Sequence, residues 1–114
     1  MLVSIVIPCY NSEHTIEEVV DLCMEEFAKM ENYECEMILV NDYSKDDTFG
    51  AIKRCVAKYP NVKGINLAKN FGQHAAIMAG LHYVEGDLVV GMDDDMQNLS
   101  LIHISEPTRL DVIS

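Results

Sequence analysis

Three consecutive carboxylates follow a short apolar run near the end of this 114-residue sequence. The run at residues 87–92, DLVVGM, is typical of a buried strand, and Asp93, Asp94 and Asp95 come directly after it, with Gln97 two positions further on. Adjacent carboxylates repel one another unless a cation lies between them, and Mg²⁺ or Mn²⁺ prefers such oxygen ligands together with phosphate oxygens. We therefore predict a divalent-metal site. A solvated acidic turn is the alternative.

Three other polar segments also follow predicted strands: Tyr10 with Asn11, residues 41–44, and residues 69–74. In a parallel sheet the ligand binds beyond the carboxyl ends of the strands, so these segments and the aspartates belong to one edge. A nucleoside diphosphate needs a partner for its base and a cation for its phosphates. Asp42 could accept a hydrogen bond from a base N–H, and Tyr10 offers an aromatic face. No P-loop or G-x-G-x-x-G motif is present, which disfavours an ordinary ATPase or dehydrogenase.

The elements that position these residues alternate along the chain. Apolar, β-branched runs predict strands at 3–8, 36–40, 62–67 and 87–92, and helical spacing of apolar residues predicts three helices between them. We expect Asn11 or Ser12 to cap the first helix and Asp residues at 46–47 to cap the second. Strands alternating with helices predict an α/β fold, in which a parallel sheet is covered on both faces and joined by right-handed crossovers.

Composition limits the possible partners. The net charge is -11, and most acidic residues lie in residues 13–47, which disfavours nucleic acid as a partner of that face. The four cysteines have no metal-binding or disulfide spacing, so we expect reduced thiols. No secretion signal or membrane-spanning run is evident, and we expect this portion of the protein to face the cytoplasm.

Four segments together resemble the successive motifs of family 2 glycosyltransferases of the GT-A fold: VSIVIPCYN, VNDYSKDDT, NFGQHAAIMAG and GDLVVGMDDDMQN. The resemblance covers residues 2–98 in order. The last two motifs look most like those of polyprenyl-phosphate glycosyltransferases, such as dolichol-phosphate mannose synthase and bactoprenol glucosyltransferases. The fold that this implies is the nucleotide-binding half of a Rossmann-like, three-layer α/β/α domain.

The resemblance also implies a set of site residues, which lie at or just after the ends of predicted strands. Those implied to bind the nucleotide-sugar are Pro8, Tyr10, Asn11, Asp42, Lys69, Asn70, Gly72, Asp93 and Asp94. The implied ligands of Mg²⁺ or Mn²⁺ are Asp93, Asp95 and Gln97. Asp42 matches the aspartate that contacts the base, whereas Tyr43 replaces the family's common glycine and leaves the shape of that loop open. For Asn70 and Gly72 a purely turn-forming role is an equal alternative.

The implied activity is transfer of a sugar from a nucleotide-sugar donor, UDP-linked in preference to GDP-linked, to a polyprenyl-phosphate acceptor. The catalytic base and membrane-associating segments would follow residue 98, so the whole protein would work at the cytoplasmic face of a membrane. The alternatives are a polysaccharide-chain transferase of the same family, a non-catalytic nucleotide-binding domain and a receiver-like regulatory domain.

The final segment departs from the family. Residues 99–109, LSLIHISEPTR, resemble one translated frame of a sequencing-library adapter. We therefore predict a partial nucleotide-sugar-binding domain at residues 1–98 and a non-native tail at residues 99–114, and we expect this fragment itself to be soluble and cytoplasmic. For the chain as it stands, we expect weak nucleotide binding without useful turnover.

Overall fold

The computed structural model describes residues 1–92 and 102–104. In chain order the elements are β1 (Leu2–Cys9), α1 (Ile16–Ala28), β2 (Glu34–Asn41), α2 (Thr48–Lys58), β3 (Val62–Asn66), α3 (Gln73–Leu81), β4 (Leu88–Gly91) and β5 (Ile102–Ile104). The predicted alternation of strands and helices is confirmed. Within the described residues, no helix has the length and apolarity needed to cross a membrane.

The strands form one sheet in the order β3-β2-β1-β4-β5. Strands β1 to β4 pair in parallel, as predicted, and β5 pairs antiparallel with β4. The chain moves outward from β1 to β2 and β3 and then returns to the other side of β1 for β4. The switch point between β1 and β4 is where open α/β sheets form their ligand crevice.

Alternation of side chains along β1 and β2 produces two cores. Val3, Ile5 and Ile7 face α1 and α2, with which they form the larger buried cluster. Val6 and Ile38 face the opposite way and pack with Ala76 of α3. Both faces of the central strands are therefore covered by helices, which explains their continuous apolar sequence. The four cysteines are free thiols, and burial raises the pKa of Cys23 and Cys55 to about 11.

Three local predictions are corrected by the structure. The N-cap of α1 is Thr15 rather than Asn11 or Ser12, because the Ser12 carbonyl first accepts the N–H groups of Thr15 and Ile16 in a preceding turn. The spacing of apolar residues predicts Val56 on the buried side of α2, but the structure exposes Val56 and buries Ala51 instead. The apolar run after Gly72 predicts a helix over residues 75–84, but α3 begins at Gln73, immediately after Gly72, and ends at Leu81.

A buried polar network lies at the amino edge of the sheet. Glu36 is only 5% exposed, and its Oε2 accepts hydrogen bonds from Ser4 Oγ at 2.5 Å and from the Glu85 N–H at 2.6 Å. Lys63 Nζ lies 3.3 Å from Oε1 of the same carboxylate. Burial alone would raise the pKa of Glu36, but these hydrogen bonds and the Lys63 charge outweigh it and hold the pKa below its ordinary value.

Candidate nucleotide-binding site

The loop that follows β1 is tied to the loop that follows β2. Asn11 has a positive φ of 50°; its N–H donates to Ser44 Oγ at 3.0 Å, and its Oδ1 accepts the Lys45 N–H at 2.9 Å. Pro8 is buried within β1 and stands opposite Val40 of β2. These contacts hold the predicted motif at the end of β1 against the loop that follows β2.

Asn41, the last residue of β2, connects its own loop to β3. Its Nδ2 donates to Asn66 Oδ1 at 2.8 Å, and its Oδ1 accepts the Ser44 N–H at 3.2 Å and Ser44 Oγ at 2.5 Å. Sequence reasoning did not assign a role to Asn41, Ser44 or Asn66. A signal was present, because each is a polar residue at or just after the end of an apolar strand.

Asp42 connects the β2 loop to the start of α3. This side chain is only 4% exposed; its Oδ1 accepts the Phe71 N–H at 2.8 Å and its Oδ2 accepts the Gly72 N–H at 3.0 Å. Gly72 also donates to Asn70 Oδ1 at 3.2 Å. Asn70 and Gly72 thus shape a turn, and the carboxylate of Asp42 holds that turn at the carboxyl edge of the sheet.

Three exposed aromatic rings belong to these loops. Tyr10 follows β1, Tyr43 follows β2, and Phe71 precedes α3; their exposed fractions are 44%, 57% and 59%. Each of these loops comes from the carboxyl edge of the parallel strands. Aromatic faces of this kind can stack on a nucleobase, since every base presents a π-face.

Asp46 orders the start of α2 at the same edge. Its side chain accepts hydrogen bonds from the backbone N–H of Thr48 at 3.0 Å, from the Thr48 hydroxyl, and from the Glu13 N–H at 3.3 Å. Burial acts to raise the pKa of Asp46, but these donors prevail and lower it. Asp47 is the N-cap residue of α2, as expected, but it makes no side-chain cap bond; the Asp46 side chain, one residue earlier, accepts the Thr48 N–H instead.

The structure brings together most of the predicted nucleotide residues in its described range. Tyr10, Asn11, Asp42, Asn70 and Gly72 all lie in loops at the carboxyl edge. Lys69 is exposed in the segment between β3 and α3. Asp93, Asp94, Asp95 and Gln97 lie outside the described residues, immediately beyond Met92 in the sequence. In the part of the chain that the structure describes, no group of three or more His, Cys, Asp or Glu could hold a metal ion.

Comparison with known proteins identifies the family. The sequence profile described as glycosyl transferase family 2 matches residues 4–100, which is most of the chain. The chain belongs to glycosyltransferase family 2. A receiver-like regulatory domain is thereby excluded.

The relatives include a putative glycosyltransferase and two transferases named for undecaprenyl phosphate or bactoprenol. The chain is 39% identical to the putative glycosyltransferase CsbB of Bacillus subtilis, over 85% of this chain and 29% of that protein. It is 40% identical to an undecaprenyl-phosphate 4-deoxy-4-formamido-L-arabinose transferase of Shewanella sediminis, over 84% of this chain and 29% of that protein. It is 34% identical to a prophage bactoprenol glucosyl transferase homolog of Escherichia coli, over 86% of this chain and 32% of that protein.

Solved glycosyltransferase structures share the fold. The mannosyltransferase PcManGT of Pyrobaculum calidifontis, in complex with GDP-Man and Mn²⁺, matches with a TM-score of 0.71 at 26% identity, over 82% of this chain and 27% of that one. The structure of S. aureus TarS 1–349 in complex with UDP matches with a TM-score of 0.69 at 32% identity, over 83% of this chain and 28% of that one. These matches confirm the predicted GT-A fold class. The chain spans less than a third of the length of the relatives named above.

Proposed function

We propose that this family 2 glycosyltransferase chain forms the donor-nucleotide site of a larger enzyme that transfers a sugar from a nucleotide-sugar to a polyprenyl phosphate. The observation that carries the proposal is the convergence of three motif loops at the carboxyl edge, joined through Asn11, Asn41 and Asp42. The acceptor is inferred from relatives named for undecaprenyl phosphate and bactoprenol. Such an acceptor places the whole enzyme at the cytoplasmic face of a membrane.

In this proposal Asp42 recognises the base. An ionised carboxylate only accepts hydrogen bonds, so it favours a base that presents an N–H donor. Uracil and guanine present one, whereas cytosine and adenine present an acceptor nitrogen at the equivalent position. Solved relatives bind UDP or GDP-mannose, which fits this rule. We favour UDP on the grounds of the family resemblance.

Asp93, Asp95 and Gln97 would hold Mg²⁺ or Mn²⁺. Two carboxylates and an amide oxygen are the donor types that these ions prefer, and a bound ion would offset the charge of the donor diphosphate. In the transfer, an acceptor phosphate oxygen bonds to the anomeric carbon as the bond from that carbon to the diphosphate breaks, and the electron pair leaves with the nucleotide. Because the acceptor phosphate is already ionised, it needs little help from a base.

The test is calorimetric titration of the chain with UDP, GDP, CDP and ADP, each with and without Mn²⁺. We expect weak binding of UDP, or of GDP, that requires metal and is abolished in Asp95→Ala, while CDP and ADP do not bind. Asp47→Ala is the matched control, because the exposed Asp47 carboxylate lies beside Gly50 of α2 and 4.0 Å from Arg54. Equal binding of all four nucleotides, or none by a folded chain, contradicts the proposal.

A further inference from the structure

Asp42 accepts two backbone hydrogen bonds from the turn before α3. Its two oxygens accept one backbone N–H each, from Phe71 and Gly72. An ionised carboxylate has about four lone-pair positions, so two remain for a ligand. Since the side chain is almost fully buried, its direction is fixed by these two donors and by the strand beneath it, where the Asp42 N–H donates to the Cys9 carbonyl at 2.9 Å.

The turn that supplies the donors is specified by glycine. Gly72 has φ 95° and ψ 162°, a conformation that L side chains rarely adopt. Among the described residues other than its two chain neighbours, no heavy atom lies within 4 Å of the place where a Cβ would be, so backbone conformation rather than space favours glycine there. The Gly72 carbonyl accepts the Ala76 N–H at 3.0 Å, which makes the turn continuous with the first turn of α3.

We propose that the Phe71 and Gly72 N–H groups position the Asp42 carboxylate for the nucleobase, so that order in this turn and nucleotide binding are linked. The nucleotide half of this proposal rests on the proposed function, whereas the contact between turn and carboxylate does not. Linkage is reciprocal: a ligand that uses the fixed carboxylate stabilises the turn, and a disturbed turn weakens the ligand. Phe71 and Gly72 are positioning residues that act through Asp42.

The experiment measures backbone amide exchange by NMR in the full chain, with and without UDP or GDP in the presence of Mg²⁺. Bound nucleotide is expected to slow exchange at Phe71 and Gly72 about tenfold. The Glu85 amide, which donates to Glu36 at the opposite edge of the sheet, is the internal control and should be unchanged. A purely structural role for the turn would not produce this ligand dependence.

Two variants test the linkage, one for order in the turn and one for nucleotide binding. Without ligand, Asp42→Asn should speed exchange about tenfold at one of the two amides, Phe71 or Gly72, because its NH₂ group cannot accept an N–H whereas its remaining oxygen still accepts the other. Asp47→Asn removes one negative charge in the same way and is the control. Gly72→Ala should weaken nucleotide binding about tenfold through its backbone strain. His74→Ala, an exposed change in the first turn of α3, should leave binding unaltered. If Asp42→Asn does not fold, Gly72→Ala carries the test.

The outcomes separate this proposal from the proposed function. If the wild-type chain binds no nucleotide, the proposed function fails and the linkage fails with it. If the wild-type chain binds nucleotide but exchange at Phe71 and Gly72 does not respond, or Gly72→Ala binds as well as wild type, the linkage alone is overturned. Slowed exchange together with weakened binding in Gly72→Ala supports it.

Discussion

At the residue scale, two residues of the site other than glycine adopt the left-handed backbone conformation. Asn11 has φ 50° and Tyr43 has φ 51°. Asparagine tolerates this region better than most residues, and here its side chain also accepts the Lys45 N–H from the loop that follows β2. Tyrosine has no such compensation, and its ring is mostly exposed. The family's common glycine at position 43 was the sequence signal for this backbone conformation.

Tyr43→Gly is therefore expected to stabilise the chain. Relief of a left-handed residue is worth about 1–2 kcal/mol, and the extra freedom of glycine in the unfolded chain costs about 0.5–1 kcal/mol. We expect the free energy of unfolding in urea to rise by about 0.5–1 kcal/mol. Tyr43→Ala removes the ring but keeps the strain, so it should bring no gain. A loss of stability in Tyr43→Gly would show that the ring is held by contacts that outweigh the strain.

Glu36 gives the chain a specific sensitivity to acid. Because its folded pKa is lowered, its contribution is present above the unfolded pKa of about 4.3 and is lost as the pH falls through the folded pKa. Glu36→Gln should lower the free energy of unfolding at neutral pH by about 1.5–3 kcal/mol, the usual worth of hydrogen bonds to a charged group. It should also flatten the fall in stability below about pH 4.3.

Denaturant titrations at several pH values measure both effects of Glu36→Gln. Glu34→Gln, an exposed change on the same strand, is the control and should alter neither. An unchanged acid profile in Glu36→Gln would mean that other carboxylates with lowered pKa, such as Asp21 and Asp46, dominate acid unfolding.

At the scale of elements, α3 packs on the sheet through a glycine. A Cβ at Gly80 would lie 2.6 Å from Val6 Cγ1 and 3.1 Å from Val40 Cγ2. Both side chains are β-branched, fully buried and stiff about χ1, so they have little freedom to move away. The close approach of α3 to β1 and β2 depends on the absence of a side chain at this position.

Gly80→Ala is predicted to destabilise the fold in spite of alanine's better helix propensity. Propensity favours alanine by about 1 kcal/mol, whereas overpacking a core costs about 1–3 kcal/mol. We expect a net loss of about 1 kcal/mol in thermal or urea unfolding, with faster amide exchange in α3. Met78→Ala, on the exposed face of the same helix, serves as the comparison. A more stable Gly80→Ala would contradict the packing described above.

The helices and strands were largely predictable. Buried parallel strands are continuous apolar runs, and apolar residues recur along the helices at helical spacing. The N-cap of α1 was missed since Ser12 acts through its carbonyl, which every residue possesses. The Asp42 contact with Phe71 was also missed, because a backbone N–H carries no sequence signal. Ser4 and Glu36 could have been paired, as each interrupts an apolar strand, but their register is a tertiary property.

At the scale of the whole molecule, the sheet has a parallel body and one antiparallel addition. The parallel pairs and both cores are formed by residues 2–92, whereas β5 at residues 102–104 covers the outer edge of β4. The interpretation of residues 99–114 as a non-native tail remains a prediction. An uncovered strand edge promotes association between chains.

A chain that ends at Asn98 tests that interpretation. We expect it to unfold cooperatively within a few degrees of the full chain, because it retains both cores, and to self-associate more, because the edge of β4 is exposed. Calorimetry and sedimentation measure the two effects. A shortened chain that no longer folds would show that the tail contributes to structure.

The position of the nucleotide is the central claim. A cavity of about 540 Å³ lies at the opposite, amino edge of the sheet and includes Met24, Phe27, Cys35 and Lys63 in its lining. Its volume alone makes it a competing site, but the convergent loops lie at the carboxyl edge.

Amide chemical shift mapping with UDP and GDP in the presence of Mg²⁺ is the most direct test. The largest changes among the described residues are expected in three segments, 9–12, 41–45 and 69–73. Changes centred instead on the residues of the amino-edge cavity would contradict the assignment of the nucleotide site.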